Sequence, residues 1–163
     1  MPGILHVETA RIEKILLESR THERKRALDL VRSSGAGDVP AIMYNALQRG
    51  TYIQPHRHPE QDGKEMWVLH QGEVGAVLYS EYGRVEEAFR LSRDTKTLLE
   101  IPAGMHHTAL ALEKDTVLLE LYFGIYKPET YKEFAPWAPA EKEKDLAKDY
   151  LTTLYFMFGS VLG

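Results

Sequence analysis

No cysteine occurs among the 163 residues. That absence excludes a disulfide framework, a thiolate zinc site, a Cys nucleophile and a thiol redox switch. Any metal the chain holds must be bound by histidine and carboxylate. Neither sign of charge dominates, since 20 Lys and Arg against 24 Asp and Glu leave a net charge of -4. Such a chain lacks the basic footprint that nucleic acid or an anionic membrane face requires, so neither is an expected partner and a small molecule is. Long apolar runs are missing too. Leu151 to Gly163 is uncharged over 13 residues, short of the roughly 20 a helix needs to cross a bilayer. The opening MPGILHVETARIEKILLESR carries scattered charge from Glu8 onward and no apolar core before a small-residue cleavage site. No secretory leader is therefore expected, and the expected location is the cytoplasm. Internal repeats and low-complexity segments are absent as well.

What remains is the composition of an ordinary globular domain, 44% hydrophobic and 27% charged, in a length that suits one domain. Residues 1–40 read as an N-terminal helical segment. Ile12, Ile15 and Leu16 form one helical stripe and Ala27, Leu28 and Val31 another, separated near Thr21. The second stripe is locally basic, through Arg20, Arg24, Lys25, Arg26 and Arg32, which a solvated face explains. Residues 41–126 change character to short runs rich in β-branched and aromatic residues, punctuated by Gly50, Gly63, Gly72, Gly83 and Gly104. Strands are expected at 41–48, 51–53, 66–71, 74–80, 84–91, 97–100, 106–111 and 117–123. Links as short as Gln71-Gly72-Glu73 favour antiparallel hairpins. An all-β barrel or jelly roll follows. Residues 127–163 read as a proline-punctuated wrap and then a helix over 141–158, whose apolar stripe is Leu146, Tyr150, Leu154 and Phe158. The apolar character of that tail points to a homodimer.

Four of the seven histidines fall in two strings, PHRH at Pro55 to His58 and IPAGMHHTA at Ile101 to Ala109. Residues two apart on a strand share a face, so His56 and His58 project side by side. Glu65 opens the next strand, with Trp67 and Leu69 on its face, and His107 follows a Pro-x-Gly turn. Three imidazoles and one carboxylate suit a single divalent first-row ion, Fe, Mn, Ni or Zn, with coordination positions left for water or substrate. Glu60 is the rival carboxylate. His70 has the opposite parity, and His106, beside a ligand, faces away from it on a regular strand. Glu120 and Tyr122 share a face of the last long strand and are the candidate acid and base if that face lines the pocket, a polar outer face being the equal alternative. Three histidines at set positions arise by chance less than about once in ten thousand, given their frequency here.

These strings resemble the two motifs of the cupins. Gly50, His56, His58, Glu65 and Gly72 match the first, with six residues between His58 and Glu65. Pro102, Gly104 and His107 match the second, in which the leading Gly is missing and Ala111 replaces the final Asn. The RKRA, YNAL, TYIQPHRH and FGIYKPE strings are similar to those of the WbuC-like cupin metalloproteins over roughly residues 20 to 138. The resemblance implies a double-stranded β-helix with one metal ion. It also implies a link to surface polysaccharide, hence a sugar or sugar nucleotide as ligand, without supplying a reaction. The residues leave several readings open. One is a metal-dependent enzyme of isomerase, lyase or Fe(II) dioxygenase type, and another is a non-catalytic small-ligand sensor. A purely bracing metal is disfavoured, because closed structural sites generally use thiolates.

Overall fold

A computed structural model describes residues 5–34, 39–59, 63–160 and 162. Helix α1 (Thr9–Thr21) leads into strands β1 (Arg26–Arg32), β2 (Ala41–Leu47), β3 (His56–Arg57), β4 (Glu65–Gln71) and β5 (Val74–Tyr79). Then come β6 (Val85–Leu91), β7 (Leu98–Ile101), β8 (His106–Ala111), β9 (Thr116–Tyr122), β10 (Glu133–Phe134) and helix α2 (Lys144–Met157). Two five-stranded antiparallel sheets result, ordered β1-β2-β9-β4-β7 and β10-β3-β8-β5-β6. This is the all-β jelly roll with peripheral helices that the glycine-punctuated runs indicate.

The sheets enclose a core of Leu47, Trp67, Leu69, Val74, Leu78, Leu91, Ile101 and Leu118. Strand β5 is buried at every position, which a half-exposed strand never is. Val74, Ala76 and Leu78 face that core, while Val77 and Tyr79 on the other face lie under Leu151, Leu154 and Tyr155 of α2. Helix α1 covers the first sheet in the same way, setting Ile12, Ile15 and Leu16 on Ala27, Ala46 and Val117.

The structure departs from the sequence reading in three places. Residues 26–32 form a strand and not a second helix, so the 1–40 segment is only partly helical. Lys25 takes φ +53, and the chain then pairs along β2 from Arg26↔Leu47 to Arg32↔Ile42. A short apolar run is ambiguous between the two periods, and a sheet edge in need of a partner decided it. Residues 51–53 form no strand, because side chains take their backbone groups. Arg26 donates to the Tyr52 carbonyl at 2.7 Å and Thr108 Oγ1 to that of Ile53 at 2.6 Å. Lastly, the α2 stripe expected to mark a dimer is largely used within the chain. Leu154 is buried against its own barrel and Tyr150 and Phe158 pack beside it, leaving Leu146 exposed. That stripe is therefore no argument for a second copy.

Candidate metal centre

The Pro-rich wrap returns to the barrel through β10, where Phe134 pairs with His56, and the Ala135 amide donates to the Pro55 carbonyl at 2.8 Å. On its other side β3 meets β8, placing His56 directly opposite His107. The turn before β8 turns tightly at Gly104, whose φ of +78 suits a residue without Cβ. Its amide donates to the His58 carbonyl at 2.9 Å and ties the two histidine strings together. Glu65 arrives from the opposite sheet, at the head of β4 against Tyr122 of β9.

His56, His58 and His107 are all buried, and ligand atoms from the three lie within 4.8 Å of one another. Each Nδ1 donates to a backbone carbonyl: His56 to Gln54 at 3.0 Å, His58 to Tyr131 at 2.6 Å and His107 to Met105 at 2.8 Å. A carbonyl can only accept, so the proton of each neutral ring sits on Nδ1 and each Nε2 presents a lone pair. Glu65 Oε2 lies 3.3 Å from His58 Nε2 and 3.1 Å from His107 Nε2. The second contact lacks hydrogen-bond geometry, which leaves His107 Nε2 a buried atom without a hydrogen-bond partner among the described residues.

Lone pairs facing a carboxylate at that distance repel unless a cation lies between them. Two ligands each ~2.1 Å from an ion and at right angles to one another stand ~3 Å apart, close to both spacings. The residues therefore fit a divalent ion. The carbonyls that fix the three tautomers are the outer partners that ligating histidines usually have.

A cavity of about 400 Å³ opens beside this cluster, lined among others by Asn45, His56, Glu65, Trp67, Glu120, Tyr131 and Lys132. Burial, and then the charge of Glu65, push the Glu120 carboxyl up to about 8. His56 is pulled well below an ordinary histidine, chiefly by burial.

The expected site residues thus fall into groups. His56, His58, His107 and Glu65 converge, and Glu120 lines the cavity. Tyr122 is fully buried with its ring 4.7 Å from that of His58, packed beside this ligand. His70 is exposed against Tyr44, and His106 packs on Trp137 in a different depression, away from the cluster. Glu60 lies outside the described residues. Trp67 and Lys132 line the cavity although sequence reasoning gave neither a role. Trp67 shares the face of Glu65 two positions on, a signal that was available, whereas Lys132 sits in an irregular segment where no periodicity places it.

A family described as a domain of unknown function (DUF6016) matches residues 7–91, just over half of the chain. The chain belongs to that family. The DUF6016 match contains His56, His58 and Glu65 and stops before His107, so the family's region brings three of the four converging side chains. No curated protein matches the chain in sequence. Among solved structures, protein SO0799 from Shewanella oneidensis is similar at 15% identity and a TM-score of 0.62, over 88% of this chain and 96% of that one. KdgF from Halomonas sp. is similar at 19% identity and a TM-score of 0.51, over 67% of this chain and 87% of its own. DMSP lyase DddQ from Ruegeria pomeroyi DSS-3 reaches 19% and 0.53, over 71% of this chain and about half (54%) of its own. These likenesses place the DUF6016 chain in the cupin fold. Among the described residues no helix is long and apolar enough to cross a membrane.

Proposed function

We propose that the chain is a metal-dependent cupin whose ion is held by His56, His58, His107 and Glu65 and which acts on a small polar molecule in the adjoining cavity. The observation that carries this is the set of three Nδ1 donors fixed on carbonyls, which leaves the three Nε2 atoms free to ligate, those of His58 and His107 beside the Glu65 carboxylate. A divalent ion bound there supplies Lewis-acid polarisation of a ligand oxygen. The chain's own residues do the rest. Asn45, Glu120 and Tyr131 present polar groups to the ligand, and Trp67 and Ile53 supply apolar wall.

Catalysis is preferred over sensing because Glu120 sets a carboxyl in the cavity wall beside Glu65, placed to exchange a proton with a ligand. Tyr122 supports this reading only through its place beside His58. The WbuC-like resemblance suggests a sugar or sugar nucleotide, and a cavity of about 400 Å³ with polar walls has room for one sugar ring.

Elemental analysis after reconstitution with Co(II) tests the metal reading. One ion per wild-type chain and a small fraction of that in His107→Ala are expected, and equal content in the two refutes it. Glu120→Gln is expected to keep the ion. If the cavity is catalytic, that variant loses about 100-fold or more in turnover once a substrate is known.

A further inference from the structure

A second cavity, of about 470 Å³, lies between the start of β1 and helix α2. Arg24, Lys25, Arg26, Lys144 and Lys148 line it together with Glu23 and Glu141, so three positive charges stand in excess among the described residues. A chain whose net charge is -4 gathers them there. Glu141 is taken by Arg24 and Arg26, at 2.8 and 2.5 Å. Lys25, Lys144 and Lys148 form no ion pair with it, with Glu23 or with any other carboxylate among the described residues.

The backbone holds these lysines where local rules disfavour them. Lys25 takes φ +53, a left-handed conformation rare for a residue with a Cβ. Gly50, with φ +84, lines the same cavity, and a Cβ added there would stand 3.0 Å from Lys25 Nζ, so the ammonium lies over bare backbone. Lys144 is the first residue of α2 and Lys148 follows one turn on. The positive end of the helix dipole disfavours a cation in the first turn, and like charges four apart on a helix repel. An anion in the cavity relieves both repulsions. Arg24, Arg26 and Glu141 also line the cavity beside the histidines, whereas the three lysines do not.

We infer that this second cavity binds a diphosphate group, free or carried by a small organic molecule, received by Lys25, Lys144 and Lys148. Lysine ammonium groups suit phosphate as point charges. One phosphate monoester carries at most about two negative charges, so two linked phosphoryl groups answer three cations more fully. Tyr52, Leu151 and Leu162 add an apolar wall, which leaves room for an organic group beyond the phosphates. The inference does not rest on the metal centre.

The test is isothermal titration of the full chain with pyrophosphate, ADP, inorganic phosphate and succinate, at about 50 mM salt to keep screening modest. One pyrophosphate per chain is expected, bound about tenfold or more tighter than phosphate or succinate. Lys144→Ala combined with Lys148→Ala alters exposed helix positions to a residue that favours helix. That variant is expected to bind pyrophosphate about tenfold or more weakly with no loss of melting temperature. Lys25→Asn, whose side chain tolerates the left-handed conformation, is expected to weaken binding likewise. His107→Ala is expected to bind pyrophosphate as the wild type does. Binding of ADP assigns the site to a diphosphate ester, and its exclusion assigns the site to the free anion. No saturable binding, no preference for pyrophosphate over phosphate and succinate, or affinity that survives in both lysine variants overturns the inference. Affinity lost in His107→Ala overturns it too, by placing the anion at the histidine cluster.

Discussion

At the scale of single residues, the three histidines differ from ordinary buried ones in where their protons are. Each is committed at Nδ1 to a carbonyl two residues back or, for His58, to Tyr131 on the returning wrap. Such preset tautomers reduce what must reorganise when a cation enters. Glu65 completes the set with charge, and Glu65→Gln keeps the volume while removing it. Isothermal titration with Co(II) is expected to show affinity reduced by at least about tenfold, on the scale of ligand-supporting changes in metal sites. Much of this was legible in the sequence. The period of a strand sets His56 beside His58, and the Pro-x-Gly turn marks His107, because these are local rules. Lys132 and the Tyr131 carbonyl were not legible. They reach the site through a segment interrupted by Pro128 and Pro136, whose path is set by long-range packing and not by any spacing within it.

At the scale of elements, the strand pattern of the barrel could be read to within a few residues, because glycine at tight links and alternation along strands are short-range signals. Gly72 shows how tightly one link is built. Its φ is +78, and a Cβ there would lie 2.5 Å from Thr116 Oγ1 and 2.8 Å from the Thr116 Cα. Gly72→Ala adds a left-handed cost of about 1–2 kcal/mol to an overpacking cost of about 1–3 kcal/mol. Chemical denaturation should show a loss within the combined range. Residues 26–32 illustrate the opposite case. Ala27 and Val31 suit a helical stripe or alternate strand positions equally well, and only the open edge of β2 resolves them, which lies outside the segment itself. Helix α2 was legible as a helix but not in its use. With Leu151 buried between the helix and β5, Leu151→Ala is expected to cost about 2–5 kcal/mol. A thermal shift of several degrees would register it, and a neutral outcome would mean that α2 adds little to the barrel.

For the whole molecule, fold stability and metal occupancy are linked through protons. Burial lowers the His56 pKa in the folded chain. The unfolded chain therefore binds a proton near the ordinary value of ~6.5 that the folded chain refuses. Stability contributed this way is present above that pH and is lost as pH falls through it toward the lower folded value. When an ion is bound, all three imidazoles must be neutral, so protons displace it over the same interval and the stabilisation by mass action goes with it. Melting temperature should therefore fall more steeply below about pH 6.5 for metal-loaded than for stripped protein, with the two curves converging near pH 5. A constant offset between them would remove proton competition as the control on occupancy. The histidine cluster itself is tested most directly by anomalous diffraction at the metal edge from Co(II)-loaded crystals. One peak per chain is expected, about 2.0–2.2 Å from Nε2 of His56, His58 and His107 and from one Glu65 oxygen. A peak bound through Nδ1 or placed elsewhere, or no peak within the barrel, would contradict the assignment of the ligands.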